Sequence, residues 1–290
     1  MALAAGTAIG ALDLIVRRQA PWAGAWRLRL ALTAAATTAK QAGRVEDEAA
    51  LRDAVLLTRP GDEVGPAGLL LMAWRRLAGR PAETLLTAGN LAVVLEEFCY
   101  AREDAAVGNL AGDLEKLAAR SGTVGLLTGA VVIAEKNGFG RMVGFWLADV
   151  LLAQRLGWPH AVPLLGTQAP WRKHTPRRGL DRSPAAASVE LESERAKHLL
   201  AAQARAALAA IDLFAELERR AERLIAIAPK LRARASDLVV EKLLCDDAII
   251  ASERIAGMSD RGLRRLFDRL VELEAVRELS GRPTFRIYGL

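Results

Sequence analysis

The 290-residue chain is poor in the residues that build most metal and catalytic sites. It has three histidines and two cysteines, and aromatic residues make up only 5% of it. The cysteines, Cys99 and Cys245, are far apart and form no CxxC pair, which argues against a zinc knuckle and against a disulfide scaffold. Both lie within apolar helical patterns, so we expect them to be buried and reduced.

The sequence also lacks the motifs of common enzyme classes. It contains no GxxxxGK[ST] phosphate loop, no HExxH zinc helix and no GxSxG nucleophile elbow. Of the histidines His160, His174 and His198, the last has Glu194 one helical turn before it, but one such pair gives too few ligands for a metal. We therefore predict no metal, no cofactor and no enzymatic activity. An enzyme site in the glycine-rich segment Gly122–Gly144 is the less favoured alternative.

Apolar segments of the length that spans a membrane are not evident. The most lipid-like run, Thr123–Ala134, has 12 residues and stops at Glu135, whereas a bilayer span needs about 20. The apolar stretch Met1–Val16 has no basic leader and contains Asp13, which favours an amphipathic helix over a signal peptide. We predict a cytoplasmic protein that does not bind a membrane.

Lysine is scarce, because only 7 of the 40 basic residues are lysine and the other 33 are arginine. The formal net charge of +6 favours acidic partners such as nucleic acid. However, a bias toward arginine and alanine also follows from a GC-rich genome. The charge of the whole chain is therefore weak support for DNA binding.

The sequence is rich in patterns typical of helices. It has 52% hydrophobic residues and no long alternating pattern of the kind that strands show. We predict a mainly α fold in four parts: a multi-helix N-terminal domain (1–162), a Pro/Arg-rich linker or loop (163–187), a long helix (188–229) and a winged-helix-like domain (230–290). Glycines at helix ends and prolines at helix starts divide the first part. Its predicted helices are Ala2–Arg18, Ala23–Ala42, Glu46–Leu57, Ala67–Ala78, Glu83–Tyr100, Asp104–Arg120, Val124–Lys136 and Arg141–Leu156.

The linker and the long helix each allow two interpretations. In the linker, Trp171 lies among five basic residues, a composition that suits either phosphate contact or a solvated connection. In the long helix, apolar residues recur at steps of three and four from Leu200 to Ala228, which is the spacing of a seam that faces another helix. That seam packs either against the N-terminal bundle or against a second copy of the chain.

The C-terminal region has the most specific local pattern. We predict helices over Ser236–Asp246, Ala248–Ala256 and Asp260–Glu274, the last one capped by Ser259. Two extended stretches, Val276–Leu279 and Thr284–Tyr288, follow with a turn between them. Three helices followed by a β-hairpin match the plan of a winged helix, which is a variant of the helix-turn-helix.

In that plan the third helix enters the major groove of double-stranded DNA and the hairpin reaches phosphates. The predicted DNA-binding residues are Arg261, Arg264, Arg265 and Arg269 on the helix and Arg282 and Arg286 on the hairpin. Residues 231–290 contain 11 basic and 10 acidic residues, a net charge of only +1 (11 − 10). Asp268 is also spaced to pair with Arg264 or Arg265. A DNA-associated regulatory or maintenance role is therefore predicted, with a protein-interaction scaffold as the alternative.

Several motifs resemble one family along nearly the whole chain. They are PWAGAWRLRLAL (Pro21–Leu32), DEAALRDA (Asp47–Ala54), RPGDEVGPAG (Arg59–Gly68) and the ending Gly257–Leu290. The chain resembles the bacterial family known as domain of unknown function 1403, which implies no activity and no catalytic residues. The ending also resembles the winged helices that follow Fic domains, but the catalytic HPFxxGNGR pattern of Fic enzymes is absent.

Overall fold

A computed structural model describes residues 1–59, 61–101, 103–168, 184–231 and 235–290, without the side chains of 184–191. The fold is mainly α, as predicted. Three short 3-10 turns, Ala82–Thr84, Leu165–Thr167 and Ala228–Lys230, interrupt the sequence of helices. The helices are α1 (Ala2–Arg18), α2 (Ala23–Gln41), α3 (Glu48–Leu56), α4 (Gly65–Gly79), α5 (Ala88–Glu97), α6 (Asp104–Arg120), α7 (Thr123–Lys136), α8 (Arg141–Leu156), α9 (Pro184–Ile227), α10 (Ser236–Cys245) and α11 (Asp260–Glu272).

One predicted helix, Glu83–Tyr100, is partly wrong. Its first residues form a 3-10 turn, and α5 begins only at Ala88. The Thr87 hydroxyl and the Asn90 amide both donate to the carbonyl oxygen of Thr84, at 2.9 and 2.7 Å. These local side-chain contacts offer the backbone an alternative to the helix and delay its start.

Buried hydrophobic residues form one contiguous cluster that extends from α1 to Leu290. Alanine and leucine dominate it, and three fully buried tryptophans have partners for their indole N–H groups. Trp26 donates to the carbonyl of Ala210 at 2.9 Å, Trp74 to the Thr38 hydroxyl at 2.9 Å, and Trp146 to the carbonyl of Ala73 at 3.0 Å. These bonds join α2 to α9, α4 to α2 and α8 to α4, so they fix neighbouring helices as well as satisfying buried donors.

The long helix α9 packs against α1, α2 and α7 of the same chain. The predicted seam is buried at every seventh residue through Leu200, Ala207, Phe214 and Ala221. Glu218, which interrupts the seam, pairs with Arg18 of α1 at 2.6 Å. Toward the end of α9 the predicted seam is no longer buried, since Ile225 is 39% exposed.

Within α9, the stretch Glu192–Lys230 is long and apolar enough to cross a membrane by length and composition. In its most apolar window, 44% of the residues are buried within the protein, and a helix in the core of a water-soluble fold passes the same test.

Trp171 and the basic residues of the predicted linker lie outside the described residues.

After α9 the chain forms a small module of helices and strands. The strands β1 (Ile249–Ile250), β2 (Arg277–Glu278) and β3 (Ile287–Gly289) make an antiparallel sheet in the order β1-β3-β2. Arg277 lies opposite Gly289 and Glu278 opposite Tyr288, which confirms the predicted hairpin with shorter strands. Ser259 caps α11 as predicted, since its hydroxyl accepts from the Gly262 amide at 3.2 Å.

The predicted second helix of this module, Ala248–Ala256, is wrong. Ile249 and Ile250 pair with Tyr288 and Ile287 in β1, and the residues that follow are turns. Isoleucine is branched at Cβ and favours a strand wherever a partner strand is present. Here the partner β3 comes near the end of the sequence, so no local pattern marks it.

Buried ion pairs fix the C-terminal module to the N-terminal helices. Asp247 is 3% exposed and lies between Arg29 of α2, which contacts its Oδ1, and Arg52 of α3, whose Nε lies 2.7 Å from its Oδ2. Burial alone raises the pKa of an aspartate, but the two guanidiniums hold the pKa of Asp247 below its usual value. The carboxylate is therefore ionised and joins the two parts of the chain.

Candidate nucleic-acid interface

Helix α11 has two sharply different faces. Leu263, Leu266, Phe267 and Leu270 are buried, and the Phe267 ring stacks on Tyr288 of β3 with 4.2 Å between the ring centroids. The opposite face is exposed and carries four arginines. They are Arg261, Arg264, Arg265 and Arg269.

These arginines differ in their partners. Arg269 Nη1 lies 2.6 Å from Glu272 Oε2, whereas no described residue forms an ion pair with Arg261, Arg264 or Arg265. Asp268 lies closer to Arg286, at 3.8 Å between Nη1 and Oδ1, than to either arginine with which its spacing suggested a pair. Exposed pairs of this kind contribute about 0–1 kcal/mol, so they hold a guanidinium only weakly.

Arg282, which is predicted to reach phosphates from the hairpin, already has a carboxylate partner in the structure. Its Nη2 lies 2.8 Å from Asp53 Oδ1 of α3, and its Nη1 contacts the other oxygen of the same carboxylate. This hydrogen bond raises the pKa of Arg282. Because the guanidinium is already held in a two-point ion pair with the N-terminal helices, Arg282 belongs to the contact between the two parts of the chain.

Phe285 is a feature of the module that sequence reasoning missed. Its side chain is 66% exposed and its backbone adopts a left-handed conformation, with φ of 52°. Such a conformation costs a bulky residue roughly 1–3 kcal/mol. Arg282 donates to the Phe285 carbonyl from Nη2 at 3.0 Å, so the same arginine that binds α3 also fixes this turn. An aromatic residue beside Pro283-Thr284 in an otherwise polar turn is the signal that marks it in the sequence.

Two clefts flank α11. The first, of about 400 Å³, has Arg264 and Asp268 on one wall and Phe285, Arg286 and Tyr288 on the other. It therefore combines guanidinium groups with an exposed aromatic ring.

The second cleft, of about 520 Å³, lies on the other side of α11. It has Arg265, Leu266 and Arg269 on one wall and Lys230 and Leu231 on the other. Lys230 is a cation that the sequence analysis did not assign to this surface. Positive charge thus lines both sides of the helix.

The glycine-rich segment Gly122–Gly144, where an enzyme site was the alternative, borders a small pocket of about 140 Å³. Arg195, His198 and Arg205 of α9 and Arg141 of α8 surround its apolar floor. These groups suit an anion, and two of them, Arg141 and Arg195, already pair with Glu135 at 3.5 and 3.4 Å. In the described part of the chain, no three His, Cys, Asp or Glu side chains are grouped as metal ligands would be.

The prediction that both cysteines are buried is wrong, because Cys99 and Cys245 are exposed. Cys245 is the last residue of α10, and Cys99 lies just past the end of α5 with φ of 63°. Both residues lie at helix ends, directly after the buried residues Phe98 and Leu244. Although the residue as a whole is exposed, nearby protein atoms partly desolvate the Cys245 thiol, and this desolvation together with the carboxylates of Asp246 and Glu241 raises its pKa.

The fold and this surface define a mainly helical protein that ends in a helix-and-sheet module with an exposed, arginine-rich helix. The chain belongs to the family described as protein of unknown function (DUF1403), whose model matches residues 1–290, the whole chain. No curated protein and no solved structure matches it. The family resemblance is thus confirmed, and because the family brings no activity with it, function is argued from the site.

Proposed function

We propose that this protein binds double-stranded DNA through α11 and has a regulatory or maintenance role on DNA in the cytoplasm. One observation carries the proposal: Arg261, Arg264 and Arg265 lie on one exposed helix face without an ion pair to any described residue. Elsewhere many arginines are paired with carboxylates, as Arg29, Arg52 and Arg76 are. Unpaired guanidiniums on one face are suited to phosphate oxygens.

The shape of the module supports the same proposal. Helix α11 has 13 residues, about 20 Å at 1.5 Å per residue, and a B-DNA major groove about 12 Å wide admits a helix. Arg261 lies in the first turn, and recognition helices contact base edges with their N-terminal residues. We interpret residues 235–290 as a winged-helix variant in which β1 and turns stand in place of the second helix. Its wing would bring Arg286 and Phe285, rather than Arg282, to the DNA.

A protein partner is the second candidate, and Phe285 is the observation that favours it. A 66% exposed aromatic ring beside a cleft is a common anchor in protein interfaces. The balanced charge of residues 231–290 points the same way. The two candidates differ in which side chains carry the binding energy.

Fluorescence anisotropy on mixed-sequence duplexes, titrated from about 50 to 200 mM salt, tests the proposal. Each phosphate contact contributes about 0.9 to the log–log slope of affinity against salt, so the triple variant R261A/R264A/R265A should flatten the slope by up to about 2.7. A control, R80A/R120A, removes the exposed arginine that follows α4 and the exposed arginine that ends α6, and it should change the slope less. Absence of duplex binding at 50 mM salt would refute DNA binding and favour the protein partner.

A further inference from the structure

A separate cleft of about 390 Å³ lies between α1, α7, α8 and α9, and none of the described residues of the C-terminal module lines it. Its walls are mostly apolar, with Ile9 on α1, Leu127 on α7, Leu152 on α8 and Leu200 on α9. A volume in this range is typical of sites that bind small molecules, which measure about 300–1,000 Å³.

Gln203 of α9 is the unusual residue of this cleft. It is 1% exposed, and neither its Oε1 nor its Nε2 has a hydrogen-bonding partner in the described structure. A buried amide without a partner is unfavourable, and leucine would fill a similar volume without that penalty. Gln203 therefore lines an apolar cleft with a side chain whose donor and acceptor are both unused and lie just beneath the cleft wall.

The wall formed by α1 is built from very small residues. Gly6 and Gly10 both line the cleft, and a Cβ atom added to either would meet no atom of another part of the described structure within 4 Å. Close packing within the chain thus does not explain these glycines, although glycine is less favourable than alanine inside a helix. Their effect is to leave room beside the α1 backbone.

The charged groups at one end of the cleft already have partners. Arg17 Nε lies 2.8 Å from Asp13 Oδ2, and Arg17 Nη2 donates to the carbonyl of Leu156 at 2.8 Å. The other oxygen of Asp13 accepts from the Trp158 indole at 2.7 Å. Apart from this paired Asp13–Arg17 group and the hydroxyl-bearing Thr123, the cleft offers an occupant apolar walls and one neutral amide, which disfavours a charged ligand.

We propose that this cleft binds a neutral molecule with an aliphatic body and one carboxamide group, of the fatty-acyl amide class. When the Gln203 side chain turns into the cleft, the ligand amide donates an N–H to its Oε1 and accepts from its Nε2, while the hydrocarbon chain lies against Gly6 and Gly10. A carboxamide matches both unused groups at once, whereas an ionised carboxylate offers only acceptors.

Isothermal titration calorimetry of the full chain with decanamide tests this site. We expect saturable binding of one decanamide per chain. Gln203→Leu should weaken it about ten- to hundredfold, since it removes two hydrogen bonds and each net bond corresponds to a factor of up to about ten. G6L/G10L should fill the cleft and weaken binding more than a hundredfold. The matched control G108L/G112L alters two glycines of α6 that also have open space, and it should bind decanamide like the unmodified chain.

Thermal melts of the variants keep the result interpretable. Gln203→Leu should melt at the same or a higher temperature than the unmodified chain, because it removes an unpaired buried amide. Failure of decanamide to bind, equal affinity of Gln203→Leu, or equally tight binding of decanoate at pH 8 would each overturn the proposal. Analytical ultracentrifugation provides a further test. A dimer of the unmodified chain that G6L/G10L dissociates and the other variants do not would also overturn the proposal, because that result assigns the cleft to a second copy of the chain.

Discussion

Replacement of Asp247 by alanine should strongly destabilise the protein. The substitution leaves Arg29 and Arg52 buried without their counter-ion, with side chains that are only 12% and 9% exposed. Removing one partner of a buried ion pair costs about 3–5 kcal/mol. The total stability of a folded domain is about 5–15 kcal/mol, so this change removes a large part of it.

Urea unfolding followed by circular dichroism measures this loss, and Asp53→Ala is the matched control. Asp53 also joins the module to α3, but its ion pair with Arg282 is 31% exposed on each side, so its removal should cost about 0–1 kcal/mol. The triple variant R29M/D247L/R52M replaces the buried charges with apolar side chains and should regain most of the lost stability. A loss below about 1 kcal/mol for Asp247→Ala would refute the assigned role of the buried carboxylate.

The same ion pairs predict how stability depends on pH. Because the folded-state pKa of Asp247 lies below its unfolded value of about 3.9, the stabilisation is fully present above that value. It is lost as the pH falls through the folded pKa. The difference in unfolding free energy between the unmodified chain and Asp247→Ala should therefore shrink below about pH 4.

Two further substitutions test other parts of the structure. Phe285→Gly should raise the free energy of unfolding by up to about 1 kcal/mol, since glycine adopts a positive φ readily. The same substitution should weaken binding to the partner of α11. Urea unfolding and fluorescence anisotropy measure the two effects, and a loss of stability would contradict the backbone strain at Phe285. In Asp149, both carboxylate oxygens accept backbone hydrogen bonds, from the N–H groups of Leu164 and Leu165 at 2.8 and 3.1 Å. Asp149→Asn should lower the free energy of unfolding in urea by about 1–3 kcal/mol, because an amide nitrogen cannot accept such a bond. Unchanged stability would contradict this role of Asp149.

The helices of the first half of the chain could be predicted well because their signals are local. Gly157 ends α8 in a left-handed conformation with φ of 66°, and Asp47 caps α3 by accepting from the Ala50 amide at 2.9 Å. Such effects act over a few residues and are visible in the sequence. The exposed arginine face of α11 follows from helical spacing in the same way.

The features that the sequence did not reveal depend on distant partners. Strand β1 depends on β3, and Arg282 is held by Asp53, which is 229 residues away in the sequence. The conformation of Phe285 depends in turn on Arg282. Local spacing carries no information about such contacts, so it indicates neither the ion pair of Arg282 nor the exposed conformation of Phe285.

The ion pairs of Asp247 also affect how the chain folds during synthesis. Arg52 is synthesised 195 residues before the carboxylate that neutralises it, so α2 and α3 carry unpaired cations until Asp247, just after α10, has been made. Contacts between residues so far apart in the sequence form late and slow folding. A chain that ends before Asp247 would expose Arg29, Arg52 and the apolar residues around them. Chaperones and proteases would bind such an exposed surface. Consequently, only chains in which the C-terminal module has already packed against α2 and α3 would expose a folded α11 with its arginine face.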